Sequence, residues 1–359
     1  MNGVQLTTTH RLDADGLGQI TRLADTAAAG DGYESLSEHK RLELVHALRH
    51  SASGSTAASA SGSTAASGSA EATGDGGKDE PDEFAAVFAR VPDRPDPVGY
   101  AQLNPGGTNG TLGLEMVIDP QFRDPALGVA DALLDTALGE AARMPRDQNR
   151  DGGEHEEGRT VRYWAAHATP QHDQLAADHG LRKERDLIQM RRPLPIEDGR
   201  PKVVTRPFVR GKDEEDWLYV NNRAFATHPE QGNWNLSVLL EREAEPWFDP
   251  SGFLLYEQDG RLAASCWTKV HATTTPPMGE IYVISVDPDF QGQGLGRALT
   301  VAGLDSLANA GLRVGMLYVD SDNSALSLYE SMGFTEDHVD RAYIGSVAVT
   351  GSAGPTDPD

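Results

Sequence analysis

The sequence predicts an α/β protein in which one fold occurs twice in tandem, each copy a mixed, mostly antiparallel twisted sheet with helices on both faces. The first ground is an internal repeat. Ile118-Asp119-Pro120-Gln121-Phe122 recurs as Val286-Asp287-Pro288-Asp289-Phe290, and Leu127-Gly128 then falls on Leu295-Gly296 without a gap. Farther on, His179-Gly180-Leu181 matches Met332-Gly333-Phe334. The first match is offset by 168 positions (Asp119 to Asp287) and the second by 153 (Gly180 to Gly333), so the first copy carries 15 extra residues between them. That surplus is about the size of the polar stretch 145–158, PRDQNRDGGEHEEG. The second ground is length: 359 residues exceed one ordinary core and suit two domains with connecting material. The third is the order of elements in each copy, which reads strand, helices, two antiparallel strands, a longer strand, helix, strand, helix, strand.

In the second copy each element has its own signal. Residues 203–208 read as a short strand, and 214–225 as a helix with apolar spacing at Trp217, Leu218, Val220 and Ala224. Strands at 253–256 and 262–270 flank Asp259-Gly260, a hairpin turn pair. The β-branched run EIYVISV, 280–286, is expected to be a central strand. Residues 297–309 read as a helix, 314–319 as a strand, and 324–332 as a helix closed by Gly333. The prolines of 193–201 mark the expected boundary between domains. The expected division is therefore a first domain at 1–195, a second at 202–348 and a flexible tail at 349–359. Residues 51–82, nearly all Ser, Ala, Gly, Thr and acids, cannot bury enough apolar surface to offset their ordering entropy and are expected to be a disordered insertion. The stretch 145–158 is expected to behave likewise.

A net charge of −24 argues against nucleic acid as a partner, because tracking phosphates needs clustered Lys and Arg. Any diphosphate site must then rely on local N–H groups and a few basic side chains. The single cysteine, Cys266, excludes a disulfide framework and lies in an apolar run, where a buried, inert thiol is expected. No apolar run reaches spanning length, and residues 1–15 lack the basic-then-apolar order of a signal peptide. A cytoplasmic protein without a membrane partner, working as a monomer, is expected. His228 and His271 invite a metal reading, but no cluster with ligand spacing accompanies them, so no metal is expected.

The strongest chemical signal is Gln291-Gly292-Gln293-Gly294-Leu295-Gly296, followed by Arg297, between the apolar strand and the helix. Such a turn brings successive N–H groups to one concavity at a helix N-terminus, which suits a diphosphate. It lacks the Gly-Lys-Ser/Thr of a P-loop, and it follows an antiparallel meander where a dinucleotide fingerprint would follow an opening strand. On Gln291, Gly294 and Gly296 the second copy resembles the GNAT acetyltransferases, whose Q-x-x-G-x-G loop binds the pyrophosphate of CoA after a splayed strand. The resemblance implies that Ile284, Ser285 and Val286 hold the pantetheine and polarise the acetyl carbonyl. Asn323 falls near the cofactor in the same pattern. Glu280 begins that strand, where an amine arriving as ammonium must lose a proton, and is the general-base candidate. Tyr329 matches the family's tyrosine that protonates the departing thiolate. The plainer alternatives are a solvated strand-end glutamate and an aromatic packed on the sheet. At the matching positions the first copy has Leu112 for Glu280, Ala176 for Tyr329, Asp124 and Ala126 for Gly292 and Gly294, and Pro125 where an N–H is needed. That copy is expected to be non-catalytic, with weak cofactor binding through Met116, Val117 and Ile118 at most.

Two tandem domains with a degenerate first half resemble, within that family, the enzymes of mycothiol biosynthesis. The likeness is sharpest over VNNRAFATHPEQG (220–232), Trp267-Thr268-Lys269-Val270-His271, 279–299 and 317–334. It implies acetyl transfer from acetyl-CoA to the cysteinyl amine of 1D-myo-inositol 2-(L-cysteinylamino)-2-deoxy-α-D-glucopyranoside. Glu230, Lys269, Glu280 and Tyr318 then match substrate contacts, and Glu38 matches the first domain's single contribution. The insertions at 51–82 and 145–158 depart from the family pattern. An acetyltransferase for another amine, such as a peptide N-terminus or an aminoglycoside, and a non-catalytic acyl-CoA sensor are the competing readings.

Overall fold

A computed structural model describes residues 3–33, 36, 40–41, 44, 84–105, 110–144, 158–197, 203–226 and 233–349. The expected insertion at 51–82, all but the last residue of 145–158, and all but the first residue of the tail lie outside the described residues. The chain divides into two compact units, Met1–Glu184 with Ala342–Asp359, and Arg185–Arg341.

The first unit opens with β1 (Gln5–Thr9) and α1 (Ala14–Asp31), continues through β2 (Ala85–Arg90), β3 (Gly99–Pro105) and β4 (Leu112–Ile118), then α2 (Val129–Arg143), β5 (Gly158–Ala165) and α3 (Pro170–Asp178). Strands β1 to β4 are antiparallel neighbours in order, and β5 joins β4 in parallel. Alternating residues feed two apolar layers. Val87, Ala101, Leu103 and Leu114 pack with Leu133, Leu134 and Ala137 of α2. From the opposite face Phe88, Tyr100 and Val117 pack with Ile20, Leu23 and Ala27 of α1. Asp13 starts α1 by accepting a hydrogen bond from the Gly16 amide at 2.7 Å.

In the second unit β6 (Arg182–Pro193, from Arg185 onward), β7 (Arg206–Pro207), α4 (Glu214–Ala224), α5 (Leu236–Glu243), β8 (Phe253–Gln258), β9 (Arg261–His271), β10 (Met278–Val286), α6 (Leu295–Asn309), β11 (Val314–Asp320) and α7 (Leu326–Ser331) precede β12 (Thr335–Ala348). The strand order is β12, β6, β11, β10, β9, β8, β7, and β10 with β11 is a parallel pair. Asp259 and Gly260, both at positive φ, form the two-residue turn between β8 and β9. Leu299, Leu304 and Leu307 of α6 cover one face with Cys266, Ile281 and Leu317. The other face carries an aromatic cluster of Trp217, Phe253 and Trp267, with Trp217 Nε1 donating to Ser265 Oγ at 2.9 Å.

Two elements are shorter than their sequence signal. The strand expected at 203–208 is only Arg206–Pro207: Val204 before it is 89% exposed, and after it the Phe208 amide still donates to the Phe253 carbonyl at 2.8 Å. The helix expected from 324 starts at Leu326, because Asn323 Oδ1 accepts from the Ala325 amide at 2.8 Å and closes a turn first.

The units are not colinear with the repeats. The last strand of the first repeat, β6, enters the second unit at Arg185, and the last strand of the second repeat, β12, passes to the first unit at Ala342. Ile188, Met190 and Leu194 fill the second core. Tyr343 is buried in the first, its ring 5.7 Å from that of Tyr163 and its hydroxyl donating to Asp173 Oδ1 at 2.8 Å. Both strands add to an edge of the same kind, that of the parallel strand β5 or β11. In a tandem repeat those edges offer equivalent N–H and C=O rows, and either terminal strand satisfies them.

Candidate active site

The site begins where two strands part. β10 pairs with β11 only at Met278–Val314, Gly279–Gly315 and Glu280–Met316. Past those pairs β10 runs on to Val286 held by β9, while β11 runs on to Asp320 held by β6. A cleft therefore opens beyond Glu280, and Ile284, Ser285 and Val286 line its β10 edge. A register shift between Ile281 and Val283 on the β9 side bends β10 at the mouth of the cleft.

At the far end of β10 the chain turns into the glycine loop. Asp287, fully buried, accepts at Oδ1 from the Asp289 amide at 2.9 Å and meets Arg223 at 3.2 Å, while Asp289 is held by Arg223 at 2.9 Å and Arg261 at 3.0 Å. This anchored turn leads into Gly292 and Gly294 at φ of 77° and 78°, a conformation that strains any residue with a Cβ. Among the described residues none of the amides from Gly292 through Gly296 donates to a protein acceptor. Five N–H groups at the start of α6 are thus available to an anion. Gln291, Gln293 and Gly294 are exposed, Leu295 is buried, and Arg297 donates to Ser331 Oγ at 2.9 Å. The same loop opens onto a cavity of ≈ 640 Å³ lined by Val301 and Asp305 of α6 on one side and by Val203, Thr205 and Leu254 on the other. Asn323 lies exposed at the turn before α7.

The face of the sheet at the closed end of the cleft is polar. Lys269 is directly opposite Glu280 across the β9–β10 pair, and His271 lies two residues along on the same face. His271 Nε2 and Glu280 Oε2 are 2.7 Å apart, both largely buried. The Lys269 ammonium sits 4.7 Å from the Trp247 ring centre and 5.4 Å from that of Tyr282. Burial opposes ionisation of Glu280, but the hydrogen bond and charge of His271 and the charge of Lys269 outweigh it and hold the carboxyl below its usual range. On β11, Tyr318 accepts a hydrogen bond from Gln189 of β6 at 2.7 Å. The structure thus brings Lys269, Glu280 and Tyr318 to one face. Glu38, Glu230 and His228 lie outside the described residues.

Tyr329 approaches from the other face, packed with Cys266, Leu299 and Phe334. Burial, with a smaller effect from Cys266, pushes its phenol up to about 12, so it carries its proton at neutral pH. Cys266 is fully buried, and burial likewise pushes its thiol up to about 12. Among the described residues no three His, Cys, Asp or Glu side chains are grouped to hold a metal ion. No helix among them is long and apolar enough to cross a membrane.

The first unit keeps the splay but not the polar side chains or the open loop amides of the second. β4 pairs with β5 from Leu112 to Glu115, leaving Met116, Val117 and Ile118 beyond the last pair. Its loop amides are engaged: Ala126 donates to Asp124 Oδ1 at 2.9 Å, Leu127 to the Asp124 carbonyl at 2.9 Å, and Gly128 to the Pro125 carbonyl at 3.0 Å. Leu112 and Ala176, at the places of Glu280 and Tyr329, are buried apolar residues.

Sequence reasoning missed three parts of this arrangement. The sequence offers His271 as a metal candidate and as the end of a distinctive string but not as a partner of Glu280, although its period-two spacing from Lys269 on a hairpin strand places it facing Glu280. Arg223, which clamps the loop, lies in the distinctive string 220–232, but nothing in that string points to its ion pairs with Asp287 and Asp289. Gln189 and Arg191 belong to the first repeat and reach this face only through the exchanged strand.

Residues 217–334 match the model of the Acetyltransferase (GNAT) family. The chain is 37% identical to a mycothiol acetyltransferase of Acidimicrobium ferrooxidans over 346 residues, 93% of this chain and 96% of that one. It is 40% identical to a mycothiol acetyltransferase of Geodermatophilus obscurus, over 92% and 94% of the two chains, and 46% identical to one of Thermomonospora curvata, over 68% and 77%. In fold it is similar to a GCN5-related N-acetyltransferase from Sphaerobacter thermophilus, with a TM-score of 0.61 at 20% identity over 96% of each chain. It is also similar to a tandem GNAT protein from the clavulanic acid biosynthesis pathway, with a TM-score of 0.58 at 15% identity over 99% of this chain and 100% of that one.

Proposed function

Since this chain belongs to the mycothiol acetyltransferase family of tandem GNAT enzymes, we propose that it transfers the acetyl group of acetyl-CoA to the cysteinyl amine of 1D-myo-inositol 2-(L-cysteinylamino)-2-deoxy-α-D-glucopyranoside. The observation that carries the placing of this chemistry in the second unit is a buried carboxylate, Glu280, at the closed end of a cleft whose other end offers five unengaged amides.

On this reading the amides of Gly292 to Gly296, with Gln291 and Arg297 beside them, bind the diphosphate, and Asn323 lies near the same cosubstrate. The edge formed by Ile284, Ser285 and Val286 aligns the pantetheine and directs an N–H at the carbonyl oxygen where charge develops. Glu280 takes the proton from the ammonium, directly or through water, which frees the nitrogen lone pair for attack on the thioester carbon. Tyr329, protonated at neutral pH, gives its proton to the sulfur as the C–S bond breaks. Lys269, Tyr318, Glu230 and Glu38 contact the sugar-inositol part. The reading includes no metal, and His271, the nearest candidate ligand, is committed to Glu280. The first unit is non-catalytic and holds at most a weakly bound cofactor at Met116, Val117 and Ile118. With a net charge of −24 no nucleic-acid partner is assigned, and the enzyme is read as a cytoplasmic monomer without a membrane partner.

Turnover of acetyl-CoA with the cysteinyl pseudodisaccharide, a peptide N-terminus and an aminoglycoside separates the substrate classes. Strong preference for the pseudodisaccharide is expected. Glu280→Gln is expected to lower kcat about 10²- to 10⁴-fold while the Kd for acetyl-CoA stays within about twofold. Unchanged turnover in that variant removes the proposed base.

A further inference from the structure

Tyr318 stands on the β11 wall of the cleft, two residues past Met316, where pairing with β10 ends. The residue as a whole is 37% exposed. The hydroxyl accepts from Gln189 Nε2 at 2.7 Å, and the buried carboxamide of Gln189 accepts in turn from Arg191 Nε at 2.7 Å. Asp337 holds the same guanidinium at 3.0 Å. A guanidinium donates and never accepts, so Arg191 admits only the carboxamide oxygen and fixes which way Gln189 lies. Nε2 must then face Tyr318. The phenol therefore receives a hydrogen bond from the protein, and among the described residues its own proton makes none. Burial, with the Asp340 and Glu280 carboxylates nearby, raises the phenol above its usual range and keeps that proton in place.

We infer that Gln189 and Arg191 are positioning residues that make Tyr318 a one-way donor, so that the cleft selects amines carrying an oxygen acceptor, hydroxyl or carbonyl, a short way from the ammonium. The inference rests on the acetyl-transfer reading above and deepens it. Glu280 is level with Met316, so Tyr318 lies roughly 7 Å farther along the strand direction. The two groups are thus matched to opposite ends of one substrate segment: the carboxylate to the ammonium, the phenol O–H to an oxygen. A polyamine, which offers only donors, meets a like group at Tyr318. Both positioning residues are carried by β6, the strand contributed by the first repeat, which gives that half of the chain a share in substrate choice.

Two experiments on the full chain decide this. In wild type, analogues of the pseudodisaccharide lacking one hydroxyl, or the cysteinyl carbonyl oxygen, are compared with the parent. One of them is expected to show a KM about tenfold or more above the parent, with kcat within about threefold, as for loss of a hydrogen bond to a buried donor. Gln189→Glu reverses the last link, because a carboxylate accepts from both Arg191 and Tyr318. It is expected to raise the parent's KM by a similar factor, to erase the difference between parent and deoxy analogue, and to leave the KM for acetyl-CoA unchanged. Tyr318→Phe is expected to do the same, without further loss in the double variant. Equal KM values across the analogue series in wild type overturn the inference without any variant. A Gln189→Glu enzyme that still discriminates overturns it as well. No turnover of the pseudodisaccharide at all by wild type overturns the acetyl-transfer reading itself, and the inference with it.

Discussion

Glu280, the proposed base, has a protonation state governed by its neighbours. Removed from water, a carboxyl holds its proton more tightly, and His271 at 2.7 Å with Lys269 across the pair reverse that tendency. Because the folded-state pKa is lowered, the stabilisation from this group is fully present above its unfolded value of about 4.3 and is lost as pH falls through the folded value. The same direction governs activity. In wild type Glu280 is ionised throughout the neutral range, so the rise of kcat/KM with pH is expected to follow the substrate amine, whose pKa is about 7.7–8.0 for an α-amino group. In His271→Ala burial is left less opposed, and the acid limb of the kcat profile is expected to move to higher pH, with Lys269→Met moving it the same way. Profiles that superimpose on wild type would show that the pair does not set the ionisation of the base. At this scale the sequence was informative about residue type and position, through the strand start at Glu280. It was silent on the ionisation balance, which depends on atoms brought together by the hairpin register.

Two loops built on the same repeat show how a single element gains or loses a set of open amides. In the second unit the amides of Gly292 to Gly296 point to no protein acceptor, whereas in the first Asp124 and Pro125 engage those of Ala126, Leu127 and Gly128. Gly296 separates a folding explanation from a binding one. Its backbone is ordinary for a helix, and a Cβ placed there meets nothing within 4 Å. Within a helix, alanine is favoured over glycine by about 0.5–1 kcal/mol. Gly296→Ala is therefore expected to raise the melting temperature slightly yet weaken acetyl-CoA binding by about tenfold or more, as the methyl enters the space of the diphosphate. Calorimetric titration reads the affinity, and an unchanged Kd would mean that the close approach of a ligand is not why this position is glycine. The loop was legible in the sequence because positive φ at Gly292 and Gly294 leaves little choice of residue. The splay was not, since EIYVISV reads as the same strand whether its edge is paired or open. Nor was the shift between Ile281 and Val283, which leaves no mark on a run buried on both faces.

Each repeat gives its own terminal strand to the other unit. The repeat was legible because Asp119-Pro120 and Asp287-Pro288 cap equivalent turns, each aspartate accepting from the amide two residues on at 2.9 Å. The exchange of β6 and β12 was not legible, because hydrophobic alternation in RKERDLIQMRRP fits either edge and the proline-marked stretch after Pro193 looks like a boundary whichever unit the strand joins. The exchange makes a prediction that a colinear pair of domains does not. Tyr343 belongs to the second repeat by sequence but is 1% exposed in the core of the first unit, where its hydroxyl reaches Asp173. Tyr343→Ala is expected to cost roughly 3–5 kcal/mol, as large aromatic deletions do. That cost belongs to the unit holding the cavity. Hydrogen exchange is expected to speed up in β5 and α3 while β8 to β10 keep their protection. The opposite pattern would place Tyr343 in the unit its sequence suggests and refute the exchange. For Ile188→Ala on β6 the exchange requires the mirror result, a loss of protection in β11 and α6 caused by a residue of the first repeat, since that side chain lies in the second core. The proposed site in the second unit then depends on the first repeat through a strand that supplies core side chains on one face and Gln189 and Arg191 on the other. A chain cut at 202 would retain Glu280, Tyr329 and the glycine loop but lose the strand beside β11 that holds the far wall of the cleft.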